Sequence, residues 1–458
     1  MNPLPAALRD ALGSDALLTD PASCAVYGYD NSKRHGPVLG VALPRSEAEV
    51  QTLVRACAAS ATPIVARGRG TATTGATVPL APSLVLCFER MQRIAEIVPG
   101  NRYAVVEPGV INGELQAALA AHGFFWPPDP TSAPYASVGG NLACNAGGPR
   151  TVKYGACREN VLGLRFVSGT GELVECGGFT TKGAVGYDLS RLLIGSEGTL
   201  GLITSATLKL TPLPQARRPL RALYASVDAA AEAVARLMAQ PATPSALEFM
   251  DARAIELVRT RGGLDLPAAA QALLLIEADG STAALHETVA AIVAAASGAD
   301  CLEVRQPQPP DDGSSLWAAR KALSPILRSL APRKINEDVV VPVTRLPELV
   351  RGVQALGARH DTLIVCFGHA GNGNLHVNLL FDPTQGDAAA RASACLDGVF
   401  DLVIALGGTL SGEHGVGIDK RDYLPRAIPP ATLALMRAIK AQFDPHGILN
   451  PGKVLPRS

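Results

Sequence analysis

Two β-prone runs, Thr362 to Phe367 and Leu375 to Phe381, flank the stretch Gly368-His369-Ala370-Gly371-Asn372-Gly373-Asn374. Strand, Gly/Asn turn and strand in that order read as a hairpin, and a hairpin holds His369 close to His376. A second glycine-rich stretch, Ser411-Gly412-Glu413-His414-Gly415-Val416-Gly417, lies downstream, so that three of the chain's eight histidines and a carboxylate gather in two short segments. Two imidazoles and one carboxylate form a common open set for a divalent metal, with positions left for substrate oxygens. One histidine in a glycine-rich loop is ordinarily a hydrogen-bonding turn residue. The grouping is what neither core packing nor a solvated face requires.

At 458 residues the chain is too long for a single core and is expected to form two or three domains. Its formal charge is zero, which leaves no electrostatic footprint for nucleic acid or an anionic bilayer. The nine cysteines are scattered and never spaced C-x-x-C, which argues against a disulfide framework, an iron–sulfur cluster or a zinc ribbon and for a reducing compartment. The first residues lack a basic, then apolar, leader pattern, and no uncharged apolar run approaches about 18 residues. A soluble, cytoplasmic protein without a transmembrane segment is expected.

The first two hundred residues carry a different signal. Ser46-Glu47-Ala48-Glu49 reads as a capping box opening a helix to about Ser60, between an extended run Val38 to Leu43 and a returning strand Pro63 to Ala66, a β-α-β unit. Directly after that strand comes Arg67-Gly68-Arg69-Gly70-Thr71-Ala72-Thr73-Thr74-Gly75-Ala76, whose amides and hydroxyls suit a diphosphate. The loop has neither G-x-G-x-x-G spacing nor a Walker A lysine, and a glycine-rich turn after a strand is more often only a tight turn. Two further glycine-dense loops follow: Pro127 to Ser132 with Ser137 to Gly148, and Ile194 to Thr204. Glycine lets backbone approach a ligand closely, and three such loops suit a cofactor as large as FAD.

In this order, with the terminal Phe443-Asp444-Pro445-His446-Gly447-Ile448-Leu449-Asn450-Pro451-Gly452-Lys453, the motifs resemble the FAD-dependent D-2-hydroxyacid dehydrogenases of the vanillyl-alcohol oxidase superfamily. That group includes D-lactate dehydrogenase (cytochrome type), D-2-hydroxyglutarate dehydrogenase and the FAD subunit of glycolate oxidase, and the match spans nearly the whole chain. The resemblance implies an α+β fold. A two-subdomain FAD-binding domain over residues 1–215 would be joined by an antiparallel-sheet cap over 216–425, with residues 426–458 returning to the FAD domain. Strands at Leu220 to Val227, Ala246 to Met250, Leu273 to Ala278 and Lys334 to Val341, a helix at Thr282 to Ala296 and a surface loop at Gln306 to Gly313 fit that cap.

The resemblance also implies roles. FAD would meet Arg67, Gly68, Arg69, Gly70, Thr71, Thr74 and Gly75 in the first loop. It would meet Pro130, Thr131, Ser137, Gly140, Asn141, Asn145 and Gly147 in the second, Glu197, Gly198, Gly201 and Ile203 in the third, and Asn450 in the tail. Relatives that bind FAD covalently use a histidine where this chain has Thr71, so non-covalent FAD is expected, and attachment through Cys144 or Cys157 is not. His369, His376 and Glu413 would ligate a divalent metal, zinc first, with manganese or iron as alternatives. His414 would act as general base, Arg320 and Lys334 would hold the substrate carboxylate, and Asn378 would contact substrate or a metal-bound water. Asn372 stands where many relatives carry Asp, which bears on metal affinity and identity.

The activity implied is oxidation of a D-2-hydroxy acid of D-lactate or D-2-hydroxyglutarate type to the 2-oxo acid, by metal-assisted hydride transfer to flavin N5. Electrons would pass to a cytochrome, a quinone or an electron-transfer flavoprotein; a homodimer is common among similar proteins. Three other readings stay open. One is a flavin transferase like alkyldihydroxyacetonephosphate synthase, which relies on consecutive histidines this chain lacks. The others are a flavin-free metallohydrolase on His369, His376 and Glu413, and a non-catalytic flavin-binding partner subunit.

Overall fold

Ser46 caps the helix Glu47–Ala59 by accepting from the Glu49 amide at 3.3 Å, while the Glu49 carboxylate reaches past the cap to the Arg45 amide at 2.8 Å. Val50, Leu53, Val54 and Cys57 recur at helical spacing and are buried as one stripe. The strands on either side of this helix, Val38–Ala42 and Ile64–Arg67, are not neighbours. The wholly buried strand Ser83–Cys87 lies between them, parallel to both, and Leu17–Leu18 completes a four-stranded sheet. A strand buried on both faces reads as an unbroken apolar run, so its place was not visible from local alternation.

These coordinates come from a computed structural model that describes residue 8, residues 15–307 and residues 313–456. The chain divides into two units, one of Met1–Gly148, Gly155–Leu213 and Glu413–Ser458, the other of Pro149–Tyr154 and Pro214–Gly412. Besides the four-stranded sheet, the first unit holds a five-stranded antiparallel sheet in the order Ile94–Val98, Tyr103–Val106, Leu202–Lys209, Val161–Val167, Leu173–Gly177. Each sheet has its own apolar core. Ile64, Leu84 and Leu86 anchor the first, and Trp126, Phe166 and Leu208 the second.

The second unit is built on one seven-stranded antiparallel sheet. Its order is Cys301–Arg305, Ala216–Tyr224, Ala272–Gly280, Ala246–Asp251, Leu363–His369, Asn374–Phe381, Arg333–Val340. The first long strand ends at Tyr224, short of the expected Val227, because Ser226 caps the helix Val227–Ala239 and accepts from the Ala229 amide at 3.1 Å. The expected helix from Thr282 begins at Leu285. Of the expected surface loop, residues 308–312 lie outside the described residues. On one face of the sheet, Leu316, Ala319, Leu323 and Leu327 of the helix Ser314–Leu330 pack with Met250, Leu275 and Phe367. The polar positions of that face form the second site described below.

Candidate active site

In the first unit the three glycine-dense loops and the C-terminal tail meet. A Cβ on Gly68 would come within 2.3 Å of Ser137 Oγ, and one on Gly198 within 3.0 Å of the Ala66 Cβ. The Glu197 amide donates to the Ala143 carbonyl at 2.8 Å. Asn450 stitches the rest: its amide donates to Ile64 O at 2.7 Å, and its Nδ2 to Ala76 O at 2.9 Å and Glu197 O at 2.7 Å. Ser137 caps the short helix Val138–Cys144, Asn141 accepts from Asn112 at 2.9 Å, and Asn145 adopts the left-handed conformation while accepting from the Arg158 amide at 3.0 Å.

Other expected cofactor residues have protein partners of their own. The Arg67 guanidinium is buried and donates to the Tyr29 carbonyl at 2.6 Å; Gly70 has φ +66°, and a Cβ there would lie 2.2 Å from that guanidinium. Arg69 lies 3.7 Å from Glu89, and Thr74 Oγ1 donates to the His414 carbonyl at 3.3 Å. Thr71 is half-buried, Thr131 is exposed, Pro130 accepts from the Ala133 amide, and Gly147, Gly201 and Ile203 are buried. Gly75 has φ +77°. Glu197 accepts from the amides of Val416 at 2.6 Å and Gly417 at 2.9 Å, and burial pushes its carboxyl up to about 7. Burial likewise pushes the Cys144 and Cys157 thiols up, which disfavours the reactive thiolate. Close-approach glycines bounded by stitched backbone make a cradle that fits a dinucleotide cofactor.

In the second unit the expected hairpin forms, with longer strands and a tighter turn. Leu363–His369 runs into a single 3-10 turn, Ala370–Asn372, and Gly373 at φ +70° leads into Asn374–Phe381. Only glycine fits, since a Cβ on Gly373 would stand 1.9 Å from the Val341 carbonyl. His369 therefore ends a strand, and its ring lies 5.2 Å from that of His376, edge-on. Across the sheet His369 sits opposite Glu248, His376 opposite Phe367 and Asp338, and Asn378 opposite Val365 and Asn336. Directly paired residues share a face, so these form one stripe. Asn372 is exposed at the turn.

Asp338 pegs the segment that leads to Glu413. Its carboxylate accepts from the Gly412 amide at 2.9 Å and from Ser411 Oγ at 3.1 Å. Glu413 follows by one peptide bond, and His369, His376 and Glu413 each offer a ligand atom, all within 4.8 Å of one another. Asn378 donates to the carbonyls of Val365 at 3.1 Å and His376 at 3.0 Å, while its buried Oδ1 has no partner among the described residues. Two imidazoles and a carboxylate whose ligand atoms lie this close fit a divalent cation.

Arg320 projects from the helix Ser314–Leu330 toward the same stripe. Its Nε and Nη2 each lie 2.8 Å from Glu248, and its guanidinium covers the Phe367 ring at 4.4 Å. One turn on, Ser324 accepts from Lys334 Nζ at 3.3 Å. Lys334 sits two residues from Asn336 and so on the same face; burial, with Arg328 nearby, holds its ammonium down at about 8. Glu248 was not expected from the sequence. Burial would raise its carboxyl, but His369 and Arg320 overcome that and hold it at about 2. The available signal was a charged residue inside the apolar run Ala246-Leu247-Glu248-Phe249-Met250, since charges are seldom fully buried without a partner. Also unforeseen was the segment Pro149–Tyr154: Arg150 lies 3.3 Å from Glu277, and Lys153 and Tyr154 reach Asp279 at 2.5 and 2.8 Å.

Glycine-dense loops suited to a dinucleotide and an antiparallel sheet bearing His369 and His376 suit a flavin-type oxidoreductase, and comparison with known proteins supports that class. Residues 213–454 match the family described as FAD linked oxidases, C-terminal domain, and residues 38–177 match an FAD binding domain. The chain belongs to the FAD-linked oxidase family. It is 38% identical over 433 residues to the glycolate oxidase subunit GlcD of Bacillus subtilis (strain 168), covering 94% of this chain and 92% of that one. It is 34% identical over 457 residues to the D-2-hydroxyglutarate dehydrogenase of Stutzerimonas stutzeri (strain A1501), covering 98% and 97%. The fold is that of p-cresol methylhydroxylase, at a TM-score of 0.81 and 17% identity over 98% of this chain and 96% of that one. The expected architecture, an FAD-binding domain of vanillyl-alcohol oxidase type plus an antiparallel-sheet domain, is thus the observed one.

Proposed function

We propose that this protein is an FAD-dependent dehydrogenase that oxidises a D-2-hydroxy acid of D-lactate or D-2-hydroxyglutarate type to the 2-oxo acid and passes the electrons to an external acceptor. The observation that carries it is the gathering of His369, His376 and Glu413, whose ligand atoms lie within 4.8 Å of one another, with two cationic side chains, Arg320 and Lys334, set toward the sheet face that bears the two histidines. A 2-hydroxy acid presents a hydroxyl and a carboxylate on adjacent carbons, which such a site matches. The names of the two relatives, glycolate oxidase subunit and D-2-hydroxyglutarate dehydrogenase, both refer to 2-hydroxy acids.

When bound, FAD supplies a two-electron acceptor, and a divalent metal, zinc in the first instance, held by His369, His376 and Glu413, supplies a Lewis acid. The chain's own residues do the rest in this reading. Arg320 and Lys334 bind and orient the carboxylate, and Asn378 offers its amide oxygen to the substrate or to water. His414 takes the hydroxyl proton as the C2 hydrogen departs with its electron pair. No described helix is long and apolar enough to cross a membrane, and the nine cysteines, none of them in a disulfide, support a reducing compartment, the cytoplasm.

A panel of D- and L-2-hydroxy acids, added anaerobically to purified holoprotein, tests the reading through bleaching of the flavin band near about 450 nm. Bleaching by at least one D-acid is expected, and an oxidised flavin after every acid would overturn the proposal.

A further inference from the structure

Glu248 touches two of the residues just assigned roles, and it sits where a charge is costly. It is 1% exposed, in a strand whose neighbours on the same face, Met250, Leu275 and Phe367, are apolar core. A buried ion pair can often be replaced by apolar residues without loss of stability, so packing alone does not call for this carboxylate. Its two oxygens are divided. Oε1 meets His369 Nδ1, while Oε2 accepts from both Nε and Nη2 of Arg320.

We propose that Glu248 is a positioning residue that sets the metal-facing nitrogen of His369 and the aim of the Arg320 guanidinium with a single carboxylate. The contact takes Nδ1 of His369, so Nε2 is the ring nitrogen that a metal would use. Register makes the contact rigid, since Glu248 and His369 are directly opposed on adjacent strands, as are Met250 and Phe367. On the other side, Nε and Nη2 are committed and one face of the guanidinium lies on Phe367. Nη1 is the nitrogen left to meet a carboxylate. Glu248 therefore couples the two halves of the recognition of a 2-hydroxy acid: the ion that takes its oxygens and the cation that takes its charge. The inference rests on the proposed function for the roles of His369 and Arg320.

The test measures metal binding without turnover. Zn²⁺ alone is titrated calorimetrically into chelator-treated, FAD-containing protein, as parent, Glu248→Gln and Glu277→Gln. Glu277 is also buried and ion-paired, on the next strand, and touches neither His369 nor Arg320. Glu248→Gln should weaken Zn²⁺ binding about 10- to 100-fold, while Glu277→Gln leaves it unchanged. Equal weakening by both variants would reduce Glu248 to a structural role, and parent-like binding by Glu248→Gln would overturn the inference while leaving the proposed function standing. A parent that binds no Zn²⁺ would remove the inference and its metal premise together. Should Glu248→Gln fail to fold, Glu248→Asp keeps the charge on a shorter arm and is expected to weaken Zn²⁺ in the same direction.

Discussion

Lys334 carries the clearest single-residue consequence. Burial, with Arg328 nearby, holds its ammonium at about 8, below the ordinary 10.5. The group is charged, and able to hold a carboxylate, below about 8, and loses that ability as pH rises through it. kcat/KM, which reports ionisations of the free enzyme, should therefore fall on the alkaline side of about 8, and Lys334→Arg should abolish that limb. A limb unchanged in Lys334→Arg would take Lys334 out of substrate binding. Stability runs the opposite way. Between about 8 and 10.5 the unfolded chain binds more protons than the folded one, so this residue's contribution to stability rises with pH. Arg320 shows how a residue can be legible while its setting is not. Its place on a helix face with Ser324 follows from four-residue spacing, but its partner Glu248 lies 72 residues away on a strand whose register no local pattern reveals.

At the scale of elements, the hairpin of residues 363–381 depends on one backbone conformation. Gly373→Ala would force a side chain into the left-handed region and against the Val341 carbonyl, at a cost of at least about 1 kcal/mol. Denaturant unfolding should show that loss, and Zn²⁺ affinity should fall with it as His369 and His376 separate; an unchanged midpoint would mean that the turn relaxes freely. The hairpin was readable because β-prone runs and a glycine turn are local signals. The adjacency of Ser83–Cys87 to both neighbouring strands was not, because a doubly buried parallel strand has no alternation to align. Local capping decided several boundaries by a few residues, as Ser226 does at the end of Ala216–Tyr224.

For the whole molecule, the C-terminal tail contributes to the first unit out of proportion to its length. Asn450 is the donor for two carbonyls in different glycine-dense loops. Asn450→Ala should cost about 1–3 kcal/mol for each buried carbonyl left unpaired. It should lower the thermal midpoint and let FAD dissociate on gel filtration, whereas parent-like FAD retention would mean that the loops hold without it. The cofactor loops were legible because close backbone approach demands glycine, and the family resemblance ordered them. The insertion of Pro149–Tyr154 into the second unit was not, since Arg150, Lys153 and Tyr154 find Glu277 and Asp279 more than a hundred residues on. The central claim, that a cation on His369, His376 and Glu413 prepares a 2-hydroxy acid for oxidation, is tested most directly by anaerobic single-turnover flavin reduction with the best acid of the panel, before and after metal removal. Stripping the metal should nearly abolish reduction while FAD stays bound, and Zn²⁺ or Mn²⁺ should restore it. Undiminished reduction by metal-free protein would contradict the claim.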